Sequence, residues 1–96
     1  MRKPRTPEIL SGRVGSDGSI VAGDGFIVQK VGTGVYNIWC EHGFTPKVAV
    51  ANPNVGASAF VACTDYIGNR FAVRTFVWNT AATAGDCPFN FIVTGA

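Results

Sequence analysis

An all-β fold, a single antiparallel β-sandwich of jelly-roll-like form with about seven or eight short strands and no significant helix, is predicted by three features of the sequence. Apolar residues fall in short runs rich in Val, Ile, Phe, Tyr, Trp and Thr, bounded by Gly, Pro, Asn or Asp. Along these runs side chains alternate in character, and no stretch carries the apolar spacing of an amphipathic helix. Finally, Gly25 to Phe44, GFIVQKVGTGVYNIWCEHGF, reads as a β-hairpin. Its arms, Phe26 to Val31 and Val35 to Cys40, flank Gly32-Thr33-Gly34, where at least one glycine is expected to take positive φ. The chain of 96 residues, 47% hydrophobic and only 15% charged, is long enough for one core and one domain. Such low charge implies either apolar surface buried against another chain or a well-filled core.

The elements follow in order. A first strand spans Leu10 to Val14, then Gly15-Ser16-Asp17-Gly18 turns into a short second strand, Ser19 to Ala22. Gly23-Asp24-Gly25 reads as a bulge or a corner where the chain passes between sheets. In the second hairpin arm Val35, Asn37 and Trp39 oppose Tyr36, Ile38 and Cys40, so the strand is expected to be covered on both sides, with Trp39 in the core. Lys47 to Asn52 alternates Val48 and Val50 with Ala49 and Ala51, which suits a strand packed on one face and crowded on the other. After the turn residues Asn52-Pro53-Asn54-Val55-Gly56, Ala59 to Tyr66 places Phe60, Ala62, Thr64 and Tyr66 on one side. Arg70 to Val77 sets Phe71, Val73, Thr75 and Val77 against Arg70, Ala72, Arg74 and Phe76. Asn79 to Asp86 is a small-residue loop, and Phe89 to Thr94 is the last strand.

The hairpin, G-F-x-V-x-x-x-G-T-G-x-Y-x-I, followed by Phe44-Thr45-Pro46-Lys47-Val48, resembles a small β-sandwich module of bacteriophage tail-fibre and other virion proteins. The same module is seen at the ends of collagen-like bacterial surface proteins. The resemblance begins near Gly12 and resumes at Phe71 to Phe76 and Phe89 to Val93, leaving residues 1–8 outside it as an extended basic arm and 9–96 as the sandwich domain. These are strand and turn residues, so no catalytic or ligand residue carries over. What the resemblance implies is a virion protein that binds or decorates. The expected function is a non-enzymatic structural protein, a capsid decoration or accessory protein attached to the virion lattice. The alternative is a tail-tip receptor-binding module that takes a host surface glycan.

Arg2, Lys3 and Arg5 supply three of the eight basic residues, which leaves the sandwich near neutral. No basic clustering or aromatic platform follows, so nucleic acid is not an expected partner. With Pro4 and Pro7 favouring extended backbone, the arm is read either as lying along an acidic groove of a neighbouring protein or as a solvated terminus. The basic start runs into Thr6-Pro7-Glu8-Ile9-Leu10-Ser11-Gly12 rather than an apolar h-region, so neither a signal peptide nor membrane insertion is expected. The protein is then made in the host cytoplasm and found in the virion.

Chemistry is sparse. Cys40, Cys63 and Cys87 are odd in number and spaced to match no metal motif, and His42 is the only histidine. Buried free thiols are expected, with a Cys63–Cys87 bridge open to an oxidising medium. Asp17 and Asp24 beside glycines are turn usage rather than a Ca²⁺ loop, and the Gly-x-Gly pairs lack the strand–helix context of a phosphate cradle. No catalytic, cofactor-binding or metal residue is assigned, and no cofactor is expected. The partner-binding candidates are Arg2, Lys3 and Arg5 in the arm, with Tyr66, Trp78 and Asn79, whose aromatic and polar groups suit an interface or a sugar. The protein itself is a further expected partner, as a homotrimer.

Overall fold

The computed structural model describes residues 8–41, 43–54, 59–78 and 82–95. Among them are nine strands and no helix: β1 Glu8–Val14, β2 Ile20–Ala22, β3 Phe26–Gly32, β4 Val35–Cys40, β5 Pro46–Pro53, β6 Ala59–Ile67, β7 Arg70–Trp78, β8 Ala82–Ala84 and β9 Phe89–Gly95. All pair antiparallel in two sheets. Sheet I has the order β2-β1-β9-β5; sheet II has the order β3-β4-β7-β6, with β8 on β7. Two layers buried against each other make this a single β-sandwich. Gly23 to Gly25 is the corner where the chain leaves sheet I for sheet II.

The added strand is β8, which falls in the segment read as a loop. At Val35 the ladder between β4 and β7 stops, opposite Arg74, leaving the far end of that β7 edge open. Ala82–Ala84 then pair with Trp78, Val77 and Phe76. Two of the three residues are alanines with little β-preference, so the strand owes its place to unpaired backbone groups on β7 more than to propensity.

Between the sheets lies a core of aromatic and β-branched side chains. Sheet I contributes Val14, Phe89, Phe91 and Val93; sheet II contributes Phe26, Tyr36, Ile38, Cys40, Phe71 and Val73. Phe91 meets Phe26 edge-to-face at 4.9 Å and Phe71 at 5.7 Å between ring centroids, and Tyr36 meets Phe89 at 5.1 Å. Within sheet I the partners of Phe91 are Gly12 on β1 and Ala51 on β5. A Cβ on Gly12 would lie 2.4 Å from the Phe26 ring and 2.9 Å from that of Phe91. Small residues on either side of Phe91 are therefore what let three rings interlock.

Two expectations are corrected here. Trp39 is not in the core: Tyr36, Ile38 and Cys40 take the inner face of β4, which leaves Val35, Asn37 and Trp39 half-buried on the outside of sheet II. No second layer covers that face among the described residues. The Trp39 ring instead lies under the Arg70 guanidinium, 5.5 Å from its centroid. Tyr66 also leaves the row of Phe60, Ala62 and Thr64. Between Thr64 and Ile67 the register slips, and Asp65 takes φ +56°. This bulge turns Tyr66 so that its ring stacks on Phe71 at 5.9 Å.

The hairpin turn is held from outside. Gly34 N–H donates to the Asp86 carboxylate at 2.8 Å, Lys30 Nζ lies 3.2 Å from the same oxygen, and Thr75 N–H donates to Gly34 C=O at 2.8 Å. The Gly34 N–H, with Lys30 in support, holds the Asp86 carboxyl below the usual carboxylate range. Gly34 has φ +67°, and a Cβ there would lie 2.5 Å from the Thr75 carbonyl oxygen; Gly32 has no positive φ and open space around it. Replacing Gly34 by Val should therefore cost about 2 kcal/mol or more, whereas Gly32→Val should cost well under half of that. Urea denaturation of the two variants beside the parent checks the asymmetry.

Candidate interaction surface

The candidate partner-binding residues do not form one site. Arg2, Lys3, Arg5 and Asn79 lie outside the described residues. Of Trp78 only the main chain is described, paired with Ala82 at the end of β7. Tyr66 stands beside the opposite end, where Ile67 pairs with Arg70. The length of β7 separates the two aromatics by roughly 25 Å at strand rise. Tyr66 is also occupied: its hydroxyl accepts the Ala49 N–H at 3.0 Å, which joins β6 of sheet II to the free edge of β5 in sheet I. With its ring on Phe71 and its oxygen on β5, Tyr66 fastens the sandwich, though it is still 40% exposed.

What the sequence left unassigned is the outer face of sheet I. Because Ala49 and Ala51 turn inward beside Val93 and Phe91, Val48 and Val50 turn outward. They are 62% and 66% exposed, and Ile9 and Ile92 on the same face are 65% and 50% exposed. The register makes them one patch. Val50 pairs with Ile92 across β5 and β9, and Thr94 lies between Val48 and Ile9. Toward the other end the face becomes polar, where Asn90 lies between Asn52 and Arg13 and accepts from Arg13 Nε at 3.2 Å. Shallow grooves of about 440 and 280 Å³ run along either side of the Asn90–Ile92 ridge. The V-A-V-A alternation held the signal, because small residues opposite bulky ones, Ala49 opposite Val93 and Ala51 opposite Phe91, are as consistent with a core face as two valines are.

Among the described residues no three His, Cys, Asp or Glu side chains gather in a metal-ligand cluster, and no helix is long and apolar enough to cross a membrane. The three cysteines are free thiols, Cys40 and Cys87 buried and Cys63 partly so. Desolvation pushes the Cys40 and Cys63 thiols up to about 11 and raises that of Cys87. Near neutral pH they are protonated and act as small apolar groups. No family model, curated protein or solved structure matches the chain.

Two measurements follow from this geometry. Tyr66→Phe keeps the ring on Phe71 but removes the acceptor for Ala49 N–H, so it should cost about 1 kcal/mol and speed exchange of the Ala49 amide. Chemical denaturation and amide exchange read both effects. The thiols should react with an aromatic disulfide reagent at pH 7.5 at least about a hundredfold more slowly in the native protein than in urea.

Proposed function

We propose that the protein is a non-enzymatic structural component of a bacteriophage virion, a capsid decoration or accessory protein that attaches to the virion lattice through the outer face of sheet I. The observation that carries this reading is the uncovered patch of Ile9, Val48, Val50 and Ile92. Four β-branched side chains on one flat face, ending in a polar Asn and Arg margin, have the make-up of an interface with an apolar centre and a polar rim. The resemblance of the hairpin and the Phe44 to Val48 stretch to virion sandwich modules supplies the class of partner. The glycan-binding alternative gains less support, since the hydroxyl of Tyr66 is engaged within the fold.

The test is to add purified protein to undecorated particles and measure bound copies. Val50→Lys with Ile92→Glu changes only exposed positions and sets opposite charges across the β5–β9 pair, so the melting temperature should hold while occupancy falls about tenfold or more, at low and high salt alike. Removing residues 1–7 should lower occupancy chiefly at low salt, through loss of Arg2, Lys3 and Arg5. Unchanged occupancy of the double variant would overturn attachment through sheet I.

A further inference from the structure

At its polar end the outer face of sheet I carries a cation that the face does not balance. Arg13 stands at an outward position of β1 beside Asn90 of β9, and its Nε donates to the Asn90 side-chain oxygen at 3.2 Å. That bond holds the guanidinium toward β9. It leaves both terminal nitrogens, a planar fork suited to a carboxylate, without a partner among the described residues. The ion pairs there are Lys30 with Asp86 and Arg74 with Asp65, and neither involves Arg13. No acidic residue stands at an outward position of β1, β2, β9 or β5.

The smaller of the two grooves, about 280 Å³, joins this cation to the apolar patch, since Arg13, Asn90 and Ile92 all line it. Its other outward residues are short: Ser11 lies opposite Ile92, and Ala22 lies opposite Arg13. Strand spacing and rise put Ile92 roughly 8 Å from Arg13, close enough for one side chain of a partner to touch both.

We infer that this groove receives an acidic side chain of the protein to which sheet I attaches, its carboxylate held end-on by the terminal nitrogens of Arg13 and its stem lying against Ile92. The inference rests on attachment through sheet I and names the chemistry that the partner brings there. A second copy packed face to face is not the occupant, because it brings no acid to Arg13. An acid from elsewhere on a second copy makes a head-to-tail contact, which runs on into rings or filaments. Nucleic acid is not the occupant either, since Arg13 borders an apolar patch rather than a row of cations that could follow a phosphate backbone. The two parts of the surface then divide the work. Apolar contact supplies affinity, and the ion pair selects the partner, because a surface lacking the acid would cover the guanidinium and leave it unpaired.

The experiment titrates the full chain and Arg13→Gln onto undecorated particles, native or with their surface carboxylates amidated, and compares half-saturating concentrations. Arg13 is exposed, so the variant should keep the parent's melting temperature. On native particles Arg13→Gln should bind about tenfold more weakly than the parent, and on amidated particles the two should agree within about twofold. Contacts of the arm with the same carboxylates weaken both proteins and cancel in this ratio. Arg13→Lys keeps the charge but not the planar fork and should fall between the two. Equal binding of parent and Arg13→Gln to native particles overturns the inference; if Val50→Lys with Ile92→Glu still binds poorly, attachment through sheet I stands without it. A deficit that survives amidation unchanged overturns it too, as does self-association in sedimentation that Arg13→Gln abolishes, which would make a second copy the source of the acid.

Discussion

Phe91 is held edge-to-face by Phe26 and Phe71 from the facing sheet, and most of the architecture can be traced to the room those rings require. An edge-to-face pair adds about 0.5–1.5 kcal/mol to the burial of its rings. Its larger consequence is geometric. The central strand of sheet I carries Phe89, Phe91 and Val93 inward, so its neighbours must be small where Phe91 swings: Gly12 on one side and Ala51 on the other. With Ala49 and Ala51 committed to the interior, the pleat leaves Val48 and Val50 outside. The exposed patch is thus the outward side of the same constraint that packs the core.

Polar groups close the sandwich where the rings do not reach. Around the hairpin turn the buried Thr75 hydroxyl donates to Gly85 C=O at 2.6 Å, the Tyr36 hydroxyl donates to Ser16 C=O at 2.7 Å, and Asp86 holds Gly34 and Lys30. At the opposite end Asn69 and Cys40 exchange main-chain and amide hydrogen bonds, and Tyr66 spans to Ala49. Each bond satisfies a backbone group that would otherwise be buried without water or left on an edge. Their sum also explains why the loop leading into β9 lies against the hairpin, although the two are far apart in sequence.

Desolvated, protonated thiols fill the core as small apolar groups, and the side chains that the pleat turns outward at Val48, Val50 and Ile92 are apolar as well. The outer face of sheet I offers apolar area, which gives affinity without direction, and its Asn and Arg margin offers hydrogen-bonding groups, which fix orientation.

Alternation and glycine placement act over a few residues, so the class of fold and eight of the strands are legible in the sequence, whereas Gly23 to Gly25 reads there as either a bulge or a corner and becomes the corner only once β2 and β3 fall in different sheets. It placed at least one positive-φ glycine in the hairpin turn, and Gly34 has it. Which side of an alternation such as Val35 to Cys40 faces inward is settled by packing between the sheets. That choice turned on rings in the opposite sheet, and it put Trp39 outside under Arg70 and the valines of β5 in solvent. The bulge at Asp65, which takes Tyr66 from its expected row and makes it a fastening between sheets, depends on a register slip with no mark in local composition. β8 exists because β4 stops short of the end of β7. Properties of pairing between distant segments cannot be read from any one of them, since the hydrogen bonds that decide them belong to no single stretch of chain.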